Sequence, residues 1–86
     1  LKRNSKDTGI NIFSDVNILE VARNATFIVS GYAFTKENDI IRVLNLNNPN
    51  KASVLDVNGE LLMTSMDDIE VSIIKNYFER NKIFLD

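Results

Sequence analysis

The chain has no cysteine and no histidine. Without cysteine there is no disulfide framework and no thiolate metal site. Without histidine it lacks the commonest general base, the commonest metal ligand and the side chain that titrates near neutral pH. Proline occurs once, at Pro49, inside Asn47-Asn48-Pro49-Asn50, which reads as a loop. No apolar run approaches the ~20 residues that span a bilayer, and no signal peptide is visible. A cytoplasmic location is the default expectation. The first residue is Leu1 rather than methionine, which leaves a removed upstream segment open.

Neither sign of charge dominates. Ten basic and twelve acidic residues are interspersed and leave a net charge of −2. That balance argues against nucleic acid as the main partner. The one basic cluster, Lys2, Arg3 and Lys6, reads as part of a flexible start over residues 1–9. Eighty-six residues make a single domain with a modest core. At roughly 0.05–0.15 kcal/mol of net stability per residue, such a core holds without staples.

The organising stretch runs from Lys51 to Asn81. Asn58-Gly59 sits between the apolar runs Ala-Ser-Val-Leu-Asp-Val and Glu-Leu-Leu-Met-Thr, a strong hairpin signal. A two-residue turn would set Val57 opposite Glu60, Leu55 opposite Leu62 and Ser53 opposite Thr64. It would set Asp56 opposite Leu61 and Val54 opposite Met63. Both faces of this ribbon carry apolar side chains. The second face is therefore expected to meet a helix, the N-terminal segment or another chain. A helix follows, with Ser65 or Asp67 as cap. Asp67, Asp68 and Glu70 place negative charge at its positive end, and Asp67 with Glu70 would complete a capping box. Met66, Ile69, Ile73, Ile74, Tyr77 and Phe78 form its apolar face, and Asn81 is the expected stop.

Upstream, Ile10–Phe13 alternates and could add an edge strand. Val16–Asn24 reads as a short helix capped by Ser14 or Asp15, preferred over a strand through Ile18–Val21. Ala25–Phe34 is rich in β-branched and aromatic residues and reads as a strand, interrupted by Gly31 at a bulge or close approach. Thr35–Asp39 is a polar turn, and Ile40–Leu46 completes a first hairpin. Arg42 lies among Ile40, Leu44 and Leu46 on one strand face. It should reach a carboxylate there, with Asp56 and Glu60 as candidates. The fold expected is α+β: an antiparallel sheet of about four strands, built from two hairpins, packed against the C-terminal helix. A short N-terminal helix or strand covers part of the second face.

Chemistry is harder to find. Asp56-Val-Asn58-Gly59-Glu60 resembles the start of a calcium loop, but the remaining ligands are missing and a turn explains it. Asp67, Asp68 and Glu70 could be paired carboxylates, yet a helix start accounts for them. Asn24-Ala25-Thr26 matches a glycosylation sequon by chance composition. No serine, threonine, lysine or tyrosine sits in a recognisable activating context. No catalytic, metal or cofactor residue is therefore assigned. The preferred reading is a non-enzymatic protein-interaction module or subunit that self-associates as a homodimer. A small-ligand or nucleic-acid binding domain is the alternative, with Tyr32, Phe34 and Arg42 as contacts. A carboxylate or metal-dependent enzyme ranks third. The tail Ile83-Phe84-Leu85 is apolar where chain ends are usually polar, so it should dock in cis or form part of a dimer interface.

Overall fold

The computed structural model describes residues 17–85. The expected Ile10–Phe13 strand, the Ser14 and Asp15 caps and the flexible residues 1–9 lie outside them. The chain is α+β, in the order α1 (Ile18–Asn24), β1 (Phe27–Val29), β2 (Tyr32–Glu37), β3 (Ile40–Asn45), β4 (Ala52–Asp56), β5 (Leu61–Thr64) and α2 (Asp68–Asn81). A 3₁₀ turn, Lys82–Leu85, closes the described segment. The five strands form one antiparallel meander in sequence order.

There is one more strand than the two-hairpin reading holds, because Ala25–Phe34 is not continuous. Val29 pairs with Tyr32 across a two-residue turn. Ser30 and Gly31 both have positive φ, 50° and 81°, the pattern of a type I′ turn. Gly31 also meets the close approach expected of it: a Cβ there would lie 2.7 Å from Asn47 Nδ2. The next turn is shorter than Thr35–Asp39. Glu37 pairs with Ile40, so only Asn38 and Asp39 remain in the loop, with Asn38 at φ 56°.

The β4–β5 hairpin corrects the expected register. Ser53↔Thr64 and Val54↔Met63 pair as anticipated, but Leu55 pairs with Leu61, leaving Leu62 as an extra residue in a bulge. At the tip, Gly59 N–H donates to Asp56 O at 3.0 Å and Asp56 N–H to Glu60 O at 2.9 Å. Gly59 has φ 88°, while Asn58 keeps negative φ. The loop is thus a three-residue turn closed by a left-handed glycine. The Asp56 carboxylate stabilises it by accepting from Asn58 N–H at 2.8 Å and Glu60 N–H at 2.9 Å.

α2 begins where its signals place it: Asp67 caps it, accepting from Glu70 N–H at 2.8 Å. It ends at Asn81 by tightening into the 3₁₀ turn rather than by a left-handed cap. α1 is capped by Asn17 and buries no side chain fully. The core lies between α2 and one sheet face. Phe34, Ile41, Val43 and Leu55 from the sheet meet Met66, Ile74 and Phe78, with Leu85 folded in from the tail. Phe34 pairs with Val43 and Ile41 with Leu55, so the two-residue strand period puts all four on the same face. Each large side chain buried there stabilises by about 1.5–3 kcal/mol. The helix is rotated from the expected face: Val71 packs on the core, while Ile69 is exposed.

Gly59 carries a packing constraint as well as a conformational one. A Cβ there would lie 2.7 Å from Phe78 Cε2. Gly59→Val should therefore lower stability by roughly 2 kcal/mol or more, through left-handed strain and displacement of the Phe78 ring. Asn58→Gly should cost no more than about 1 kcal/mol. Denaturant midpoints of the two variants, compared at equal slope, check the difference; equal midpoints would contradict the turn.

Candidate functional site

Strand alternation that sends Phe34, Ile41, Val43 and Leu55 to α2 sends Ala33, Leu44, Ala52 and Val54 to the opposite face. α1 reaches over one side of that face with Glu20, Val21 and Asn24. Between α1 and β5 lies an open concavity of about 470 Å³. Ala33, Leu44, Ala52, Val54 and Met63 line it, and Glu20, Glu37 and Arg42 supply charge. A short helix with no fully buried residue cannot cover what α2 covers on the other side. The second face is apolar: Ala33, Leu44 and Ala52 are buried on it, while Arg42 and Met63 at its margins are exposed.

Arg42 does hold a carboxylate, but neither of those expected. Its Nε donates to Glu37 Oε1 at 2.6 Å. Arg42 pairs with Thr35 across the β2–β3 ladder, which makes Glu37 its diagonal neighbour. Asp56 meanwhile serves its own turn. Both side chains of the ion pair are at least half exposed. Such a pair contributes about 0–1 kcal/mol, so it positions charge more than it stabilises.

Among the described residues β5 is an edge of the sheet, hydrogen-bonded only to β4. All four of its residues are exposed, including Leu62 at 57% and Met63 at 65%. It carries neither charge nor proline between Leu61 and Thr64. Charge and proline are two of the devices that protect an edge; β5 has two others, its short length and the Leu62 bulge. These residues were not singled out from the sequence, which shows Leu-Leu-Met only as half of a hairpin. The signal was available in outline: an apolar ribbon on both faces with no further strand to follow it.

The remaining expected contacts do not gather. Tyr32 and Phe34 lie on the α2 face, opposite Arg42. Phe34 is fully enclosed and stacks on Phe27 at 4.6 Å, so it presents no surface to a ligand. The Tyr32 hydroxyl donates to Glu70 Oε2 at 2.8 Å, and Asn45 Nδ2 donates to the same oxygen at 2.9 Å. Glu70 thus completes no capping box; its carboxylate instead ties α2 to β2 and β3. The tail divides. Leu85 is buried in cis, while Ile83 and Phe84 face outward, 73% and 60% exposed. Among the described residues no three acidic side chains converge on a possible metal position. No described helix is long and apolar enough to cross a membrane.

A five-stranded meander backed by one long helix, with an apolar concavity on its other face and a short exposed edge strand, defines a small α+β domain. The chain belongs to the Family of unknown function (DUF7723), whose family model matches residues 15–85. No curated protein and no solved structure matches it.

The Tyr32–Glu70 contact has a measurable signature. Burial, then the hydrogen bond to the Glu70 carboxylate, push the Tyr32 phenol up from 10.0 to about 12. A raised folded-state value means the stabilisation is complete below pH 10 and is lost as pH rises towards 12. In a Tyr77→Phe background, absorbance titration should place the Tyr32 midpoint near 12, and Glu70→Gln should return it towards 10. A midpoint at the ordinary value in the parent would contradict the contact.

Proposed function

We propose that this chain is a non-enzymatic protein-interaction module that self-associates through apolar surface left outside the α2-packed core. The observation that carries this reading is β5. It is an edge strand whose Leu61, Leu62 and Met63 are exposed beside an apolar concavity. Contiguous apolar surface on a folded domain marks an interaction site more often than an ornament of packing. Three of the acidic side chains considered for chemistry have structural partners: Asp67 caps α2, Asp56 holds a turn and Glu70 binds Tyr32 and Asn45.

Sedimentation equilibrium across a concentration series tests the proposal. The parent should move from monomer towards twice the monomer mass. Met63→Lys should shift that transition at least tenfold upwards in concentration, with an unchanged unfolding midpoint because Met63 is exposed. A parent that stays monomeric throughout would contradict the reading.

A second reading has one specific observation behind it. The concavity of about 470 Å³ falls within the ~300–1,000 Å³ of small-molecule sites and has mainly apolar walls. Arg42 at its margin is the one expected ligand contact that lines it. An apolar ligand bearing an anionic group would raise the melting temperature of the parent more than that of Arg42→Met.

A further inference from the structure

We infer that Asn58 is a latent modification site: the folded β4–β5 turn shields it from deamidation, and its conversion to isoaspartate loosens α2 from the sheet at Phe78. The inference does not depend on self-association.

Asn58 is the one asparagine in the chain that a glycine follows. It is exposed, so water and base reach it. With no side chain on Gly59, the Gly59 nitrogen is unhindered and, once deprotonated by base, can attack Asn58 Cγ. The N–Cγ bond forms, the Cγ–Nδ2 bond breaks, and the side-chain nitrogen leaves as ammonia with a proton from water. A cyclic imide remains, in which the Gly59 nitrogen joins Cγ to the Asn58 main-chain carbonyl carbon. Water then adds to one of those two carbons. Opening at Cγ gives aspartate. Opening at the main-chain carbon leaves the chain running through Cγ, as isoaspartate. One water is consumed and one ammonia released, with no oxidant and no cofactor.

The turn blocks the first step. Gly59 N–H donates to Asp56 O at 3.0 Å, and neither Val57 nor Asn58 has positive φ, so Asp56–Gly59 is a type I turn. Its third residue, Asn58, then has ψ of about 0°. Ring closure needs Cβ, Cα, C and the Gly59 nitrogen nearly coplanar, and at that ψ they are far from it. Rotating them into line breaks the Gly59–Asp56 hydrogen bond. The Asp56 carboxylate also accepts from Asn58 N–H at 2.8 Å and Glu60 N–H at 2.9 Å, on either side of Gly59. Its charge opposes an amide anion between them. Attack therefore waits for local opening of the turn.

The product does not fit the turn it comes from. Isoaspartate adds a methylene to the main chain between Asn58 Cα and Gly59. The loop has no slack to take it up. Its base is tied by Asp56 N–H to Glu60 O at 2.9 Å, and a Cβ on Gly59 would already lie 2.7 Å from Phe78 Cε2. The new carboxylate also stands beside that of Asp56. Phe78 is a core residue of α2, so a displaced Gly59 is felt in the helix–sheet contact.

Deamidation of the whole chain can be followed by mass spectrometry, with fragmentation that separates isoaspartate from aspartate, in one mildly alkaline buffer with and without urea. Asn58 should react roughly tenfold or more slowly in the folded chain than in urea, because closure waits on local opening. Asp56→Ala, assayed well below its urea midpoint, should speed the folded-state reaction several-fold and leave the rate in urea unchanged. The isolated isoaspartate form should melt below Asn58→Asp, which carries the charge without the added methylene. Equal rates for the folded chain and the chain in urea would overturn the shielding. An unchanged folded-state rate in Asp56→Ala would overturn the part given to that carboxylate. An isoaspartate form as stable as Asn58→Asp would overturn the loosening of α2.

Discussion

One helix and a sheet with two apolar faces set the terms for this fold. α2 is long enough to bury Phe34, Ile41, Val43 and Leu55, and its Ile74 and Phe78 complete that core. No comparable element lies over the opposite face among the described residues. The architecture follows from the closeness of that single contact. Phe78 reaches the β4–β5 turn at Gly59, where even a methyl group would collide with its ring. Glu70 fixes the other end of the helix to Tyr32 and Asn45. Helix and sheet are thus clamped at both ends around an apolar centre, with the tail contributing Leu85. Beyond the reach of this clamp, Leu62, Met63 and Ile69 are exposed, while Ala33, Leu44 and Ala52 are buried on the opposite face of the sheet.

The parts of the fold that follow local rules were legible in the sequence. The α2 start was readable from Asp67, Asp68 and Glu70, because capping and charge–dipole preferences act within one turn. The two faces of β3 were readable from alternation. The α1 helix was readable in type, although its cap is Asn17. What was not legible depends on choices between near-equal local options. Ser30-Gly31 is a weaker turn signal than Asn-Gly, and the β-branched and aromatic residues on both sides read as one strand. At Asp56–Glu60 the Asx contact of the Asp56 carboxylate favours a three-residue loop over the two-residue one. That single change shifts the hairpin pairing by one and is absorbed by the Leu62 bulge.

The candidate site was legible only in outline. That the sheet had a surplus apolar face followed from the strand pattern, but its location followed from which face α2 chose. Arg42 was rightly expected to hold a carboxylate, yet Glu37 became visible as partner only once the Asn38-Asp39 turn had set the register. Phe34 looked available because an aromatic after a glycine can stack on a ligand. It is instead among the most enclosed side chains described, since it faces α2 in the core and stacks on Phe27. The tail showed why a run of three apolar residues is not one unit: a 3₁₀ turn sends Leu85 inward and Ile83 and Phe84 outward.

The most direct test of the account is solvent accessibility of methyl groups, read by NMR with a soluble paramagnetic probe at low and high protein concentration. In dilute solution the methyls of Leu62 and Met63 should broaden strongly, and those of Leu55 and Ile74 should not. On concentration the broadening at Leu62 and Met63 should be relieved, while Ile83 stays as accessible as before. Broadening at Leu62 and Met63 that is the same at every concentration would contradict the account, because the open edge would then be an exposed surface and nothing more.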